Sequence, residues 1–415
     1  MNHLTLVHRI CRRLVPWLLV FSVLPVWGQF NQFVLPYGKN RVTVNFENFD
    51  NLVVVDAMIS DSIPVRLIVD SGVEGVVITD MDVVNELAGR CVRSFRVNAP
   101  GTIEVLEACI TSPVSISLKG LVPSLFNLIM LNQDYFSLEQ YIGTKVHGLI
   151  GIDKFRNMVV TTDYDRNVLT FQEPSTYRLP ARAQVIPIST SRGKPHMTSR
   201  VELDDGRIID VWLMIDSGAN HPLLLENDSL GDYKPLKSVE AVIGKGLAGS
   251  MHGRFARIGW MTLGNFRLDN VITSFTDDYM PGSNEAVEGR HGTLGAGALS
   301  RFVVTFDYSR ERMILRKGNK FRQPFEYNMS GITFRTIESH FNVFEISDII
   351  KNSPADEAGL KPGDILLSID SKSTLTMKLG EVNRLLSEKE GARVSLLISR
   401  DGKTEHVRLK LKKLI

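Results

Sequence analysis

Val65-Arg66-Leu67-Ile68-Val69-Asp70-Ser71-Gly72 and Val211-Trp212-Leu213-Met214-Ile215-Asp216-Ser217-Gly218 are two versions of one pattern, an apolar run that ends in Asp-Ser-Gly. Outward from them the match continues. His147-Gly148-Leu149-Ile150-Gly151 answers His291-Gly292-Thr293-Leu294-Gly295, and Asp163-Tyr164 answers Asp307-Tyr308. The offset is 146 for Asp-Ser-Gly and 144 for the other two elements. Chance does not hold such registers, so a whole domain is repeated.

The text around these anchors is strand-like. Short runs rich in Val, Ile, Thr and Phe, such as Met158 to Thr162 and Phe302 to Phe306, are bounded by Gly, Asn, Asp and Pro. The fold class expected is therefore mainly β, with lobe 1 at 29–175 and lobe 2 at 176–322. After Gln323-Pro324 the character changes. Ser353-Pro354-Ala355 offers a capped helix start with Asp356 as the capping-box acid, and Ala358-Gly359-Leu360 closes it. A strand at Ile365 to Ile369, a helix with Leu379, Val382, Leu385 and Leu386 on one face, and two more strands make a small α+β module at 323–415.

At the other end, Arg9, Arg12 and Arg13 precede an apolar run about half as long as a membrane-spanning helix needs, followed by Val26-Trp27-Gly28. Residues 1–28 read as a signal peptide, with an uncleaved anchor as the other reading. Its loss changes 48 basic against 46 acidic residues to 45 against 46, a nearly neutral chain with no field for nucleic acid. Cys11 leaves with it; Cys91 and Cys109 remain. A hairpin about Pro100 brings 91 opposite 109, a candidate disulfide in an oxidising compartment, with a pair of buried thiols as the alternative.

Two lobes packed about a pseudo-twofold axis would bring Asp70 and Asp216 face to face, with Gly72 and Gly218 leaving the room. Two neighbouring acids cannot both ionise cheaply, so one is left as a base and the other as an acid at the same pH. Ser71 and Ser217 would tie the turns together across the axis. These residues resemble the retropepsin-like and pepsin-like aspartic proteases in bilobal, single-chain form, whose Asp-Thr/Ser-Gly motif both copies carry. The resemblance covers roughly residues 45 to 320. It implies catalytic Asp70 and Asp216, a water activated between them, active-site support from Ser71, Gly72, Ser217 and Gly218, and extended polypeptide bound under β-hairpin flaps. The hairpin about Pro100 would be the first flap. No metal or other cofactor is implied, and one chain supplies both halves, so a monomer suffices.

The last module resembles a PDZ domain on Ser353-Pro354-Ala355, Ala358-Gly359-Leu360, Pro362-Gly363-Asp364-Ile365 and Ile369-Asp370. The family adds a peptide as a strand beside its second strand and second helix and captures the C-terminal carboxylate. The loop taken for that capture, Glu338 to Asn342, has no glycine. Gly244-Lys245-Gly246-Leu247-Ala248-Gly249 has dinucleotide-binding spacing but opens no helix, and reads as a glycine-rich loop or second flap. The expectation is an exported aspartic endopeptidase with a peptide-binding PDZ domain, in the bacterial periplasm or envelope or outside the cell. The alternative is a non-catalytic peptide-binding adaptor on a degenerate protease fold.

Overall fold

The computed structural model describes residues 31–415 apart from 99–104, 136, 192, 232, 247–248, 277–288 and 338–339. The signal segment with Cys11, the Pro100 turn, Leu247-Ala248 and the Glu338-Ser339 part of the expected capture loop lie outside the described residues. The chain is mainly β, as expected: two duplicated β lobes and a small PDZ domain. In lobe 1 the strand Ile63–Asp70 runs parallel to Gly148–Gly151, with Gly151 opposite Asp70. In lobe 2 Ile208–Asp216 runs parallel to Gly292–Gly295, with Gly295 opposite Asp216.

The repeated histidines pin these strands. His147 Nδ1 accepts the Arg66 N–H at 2.9 Å, and His291 Nδ1 accepts that of Trp212 at 3.2 Å. Their own N–H groups donate back to the Arg66 and Trp212 carbonyls. A ring nitrogen used this way satisfies a backbone donor that a strand end would otherwise leave unpaired.

A six-stranded sheet joins the lobes. Val159–Asp163 of lobe 1 pairs antiparallel with Phe302–Asp307 of lobe 2, and Thr161 faces Thr305 at the middle of the register. Those two threonines are the same position in the two copies, so the pseudo-twofold axis passes between their hydroxyls, 2.8 Å apart. Asp307, the acid of the repeated Asp-Tyr pair, is fully buried at this sheet. Burial works against its charge, but hydrogen bonds from Arg310, Ser309 and Arg312 outweigh it and hold its pKa below the ordinary range.

One hydrophobic core runs through both lobes and the joining sheet. Phe33, Phe126, Phe155 and Phe171 stack in a chain within it, all fully buried. Each contributes roughly 1.5–3 kcal/mol by leaving water. The hairpin of Cys91–Asn98 and Val105–Thr111 carries the Cys91–Cys109 disulfide. The two are not directly opposite: a bulge after Cys91 sets Cys91 against Thr111 and Ser94 against Cys109. The Cα atoms are still 5.9 Å apart, within disulfide reach. Cys109→Ser is expected to lower stability by about 3 kcal/mol through the freed unfolded loop. Urea titrations of the variant and parent would check this, and equal midpoints would refute it.

The PDZ domain has a separate core of Ile332, Phe334, Phe344, Leu366, Val382 and Leu396 among others. Ser353 caps the helix Pro354–Glu357 by accepting from the Asp356 N–H, and Asp356 accepts the Asn352 N–H at 2.7 Å. Its strand order corrects one expectation. His340–Ile349 is paired on both sides, with Ile332–Ile337 and with Ile365–Ile369, so no peptide strand can be added beside it. The open edge next to the helix Leu379–Leu385 is Ile332–Ile337. The loop before that edge, Asn328-Met329-Ser330-Gly331, does contain a glycine. Its N–H groups at Ser330 and Gly331 converge on Asn328 Oδ1 at 2.8 and 3.1 Å.

Candidate functional site

Each Asp-Ser-Gly element leaves the end of its apolar strand and turns back on its own carboxylate. The Gly72 N–H donates to Asp70 Oδ1 at 2.6 Å, and the Gly218 N–H to Asp216 Oδ1 at 2.8 Å. The serines lock the two turns to each other. Ser71 Oγ donates to the Ile215 carbonyl at 2.8 Å and accepts the Ser217 N–H at 2.9 Å. Ser217 Oγ donates to the Val69 carbonyl at 3.0 Å and accepts the Ser71 N–H at 3.1 Å. All four bonds cross between lobes.

The lock brings the two carboxyls together. Asp70 and Asp216 lie close enough for each carboxyl to act on the other's proton. Glycine is required beside each, because a Cβ on Gly72 would lie 2.6 Å from Asp216 Cγ and one on Gly218 would overlap the Asp70 carboxyl. Asp70 is buried and Asp216 half-buried. Burial first, and the Asp216 charge second, push the Asp70 pKa well above the ordinary carboxylate range against the Gly72 N–H and then Lys194. Such a pair holds one proton between two groups, offering a hydrogen-bond donor and an acceptor at the same pH.

The site contains two residues that sequence reasoning missed. His221 sits five positions past Asp216; burial lowers its pKa against the pull of the Asp216 charge. Its buried Nε2 has no hydrogen-bond partner among the described residues. Asn220, next to it, donates to Asp50 Oδ2 of lobe 1 at 2.8 Å. Nothing in Ala219-Asn220-His221-Pro222 marks these positions, since the contact depends on a residue 170 positions away. The expected second flap is a hairpin, Ser238–Gly246 with Gly249–Leu263, and not a nucleotide loop.

Residues 345–400 match the family model of the PDZ domain, and the C-terminal module is one. Three curated relatives share part of the chain. A probable CtpA-like serine protease of Staphylococcus saprophyticus is 24% identical over 150 residues, covering 36% of this chain and 29% of that protein. The carboxy-terminal processing protease CtpA of Bacillus subtilis is 30% identical over 108 residues, covering 26% and 23%. A putative zinc metalloprotease of Mesorhizobium japonicum is 36% identical over 58 residues, covering 14% and 15%. The chain thus spans less than a third of the length of these relatives. Among solved structures, an aspartic proteinase from Irpex lacteus aligns at TM-score 0.41 and 10% identity over 68% of this chain and 99% of that one, too distant to argue from.

These relatives overturn the expectation of an aspartic-type endopeptidase with water activated between two Asp carboxyls, and with it the finer family resemblance. The relatives named for their chemistry are serine and zinc proteases. The physical reason for the misreading is that a paired Asp-Ser-Gly turn defines a geometry, and a geometry on a recurrent fold does not name the reaction. The relatives' serine chemistry is not transferable to Ser71 or Ser217 either. Each spends its one hydroxyl hydrogen on a carbonyl of the other lobe.

Proposed function

We propose that this chain is a PDZ-bearing peptidase acting on extended polypeptide outside the cytoplasm, in the bacterial envelope or beyond, and that Asp70 and Asp216 hold the peptide backbone. The division into lobes at 29–175 and 176–322 and a PDZ domain at 323–415 belongs to the same proposal, as does the support of the pair by Ser71, Gly72, Ser217 and Gly218. The observation that carries it is the carboxyl pair itself: Asp70 keeps its proton above the ordinary range while Asp216 stays partly open to solvent. A protonated carboxyl there is a donor aimed at a carbonyl oxygen, the acceptor that an extended chain repeats at every residue. The peptidase setting is supported by the names of the relatives, and a second peptide contact by the PDZ domain.

The test is fluorescence-anisotropy binding of a labelled, reduced and carboxymethylated polypeptide at several pH values, with electrophoresis of the same samples over a day. Binding at least tenfold tighter at pH 5 than at pH 8, flattened in Asp70→Asn, and shortening of the polypeptide are the expected results. Polypeptide that stays intact would overturn the peptidase reading. Binding independent of pH in the parent would overturn the role of the pair.

A further inference from the structure

Ile332–Ile337 is an edge strand beside the helix Leu379–Leu385, and together they form a groove of the kind that receives an added peptide strand. One end of that groove is covered. Thr336, on the edge strand itself, is only 1% exposed, and its one hydroxyl hydrogen is shared between the Glu139 and Gln140 carbonyls at 3.3 and 3.2 Å. Gly143 lies against the helix start: a Cβ there would stand 2.9 Å from Leu379 Cβ and 3.6 Å from Thr336 Cγ2. Glu139, Gln140 and Gly143 belong to lobe 1, on and just after the short helix Leu138–Ile142. Lys145 fastens this segment to the lobe by ion pairs to Glu139 and Asp80. Next to the contact a cavity of about 350 Å³ remains between Phe49, Tyr141, Lys378, Asn383 and Arg384. Lys378 Nζ spans it to the Phe49 ring, 5.4 Å from the centroid.

We propose that lobe 1 masks the PDZ groove in cis through Glu139–Gly143, so that a polypeptide entering along Ile332–Ile337 must first part the PDZ domain from lobe 1. The chemistry follows from the topology. An added strand needs the free N–H and C=O row of Ile332–Ile337 and the apolar wall at Leu379 and Val382. The Thr336 end of that row, away from Gly331, is where the rest of a long ligand has to leave the groove, and the lobe occupies that exit. Only the parted fraction of molecules binds, so the apparent affinity is the intrinsic one reduced by that fraction. The inference rests on the PDZ domain and the lobe contact alone and is independent of the carboxyl pair.

Three forms of the full chain test it. Thr336→Val removes both hydrogen bonds at nearly constant volume. Gly143→Val places a branched side chain at φ +74° and against Leu379, forcing the contact open. Gly143→Cys with Leu379→Cys closes it: a Cβ at 143 would stand 2.9 Å from that of Leu379, so the two segments have to separate by about 1 Å for the bond, which then ties them together. The probe is a fluorescein-labelled decapeptide with three apolar C-terminal residues and a free carboxylate. Relative to the parent, Thr336→Val is expected to bind it several-fold tighter and Gly143→Val at least tenfold tighter. The cross-linked form should not bind until dithiothreitol is added, with the parent treated alike to account for Cys91–Cys109. Amide exchange of Ile332–Ile337 gives a readout that needs no ligand: faster in the two opened forms, slower in the closed one. Equal affinity and equal exchange across the forms would overturn the mask, as would exchange unchanged by the substitutions when no form binds the probe.

Discussion

Replacing Ser71 and Ser217 together by alanine is expected to lower the unfolding free energy by about 4–8 kcal/mol, enough to unfold much of the protein at 37 °C. The count follows from which groups are orphaned. Ser71→Ala strands the Ser217 N–H and the Ile215 carbonyl; Ser217→Ala strands the Ser71 N–H and the Val69 carbonyl. Both serines are buried, so water does not readily replace the lost partners. A buried polar group left unpaired costs roughly 1–3 kcal/mol, and about 1–2 for each of the two groups, the carbonyl keeping a second lone pair, puts each single variant near 2–4 kcal/mol. The two serines are partners in one hydrogen-bond network, so the double variant should depart from the sum of the singles by about 0.5–3 kcal/mol. Urea titrations of the parent, both singles and the double measure this directly. A double variant within 1 kcal/mol of the parent would mean that the lobes are held without the lock.

How much of this was legible in the sequence depended on whether a feature is local. The duplication was readable because each copy repeats its own anchors, and the strands that end in Asp70 and Asp216 carry their apolar run in plain order. The lock was readable for the same reason: once two identical turns face each other about an axis, their serines can only reach across it. The PDZ helix starting at Pro354 was marked by its cap, Ser353 with Asp356. The free edge of the PDZ sheet was not readable, because edge or interior is decided by which strands pair, and Ile332–Ile337 and His340–Ile349 have similar text. The bulge after Cys91, which moves its partner position from Cys109 to Thr111, has no sequence mark. The Asn220–Asp50 and Gly143–Leu379 contacts join residues 170 and 236 positions apart, in different lobes or domains. The chemistry was least legible, since paired carboxyls fix a proton and not a reaction.

Asp70→Asn should make the protein more resistant to heat at neutral pH, and the gain should shrink as pH falls. The folded Asp70 keeps its proton above the pH at which an unfolded aspartate, with a pKa near ~3.9, gives it up. Below that pH both states are protonated and the native state has its full stability. As pH rises the unfolded chain ionises first and is favoured, so stability erodes until the folded pKa is passed and then levels off. Each unit of separation between the two pKa values is worth about 1.4 kcal/mol. Asparagine has the same shape, keeps an N–H donor toward Asp216 and cannot titrate, so its curve lacks this descent. The cause of the shift can also be divided. Burial acts on Asp70 before the Asp216 charge does. Asp216→Asn, which removes the charge but leaves the burial, should therefore recover part of the descent, and Asp70→Asn all of it. Differential scanning calorimetry from pH 4 to pH 8 on the three proteins would resolve the two contributions. Parallel curves for the parent and Asp70→Asn would mean that Asp70 ionises in the fold as it does in water, and the buried proton that the site depends on would not exist.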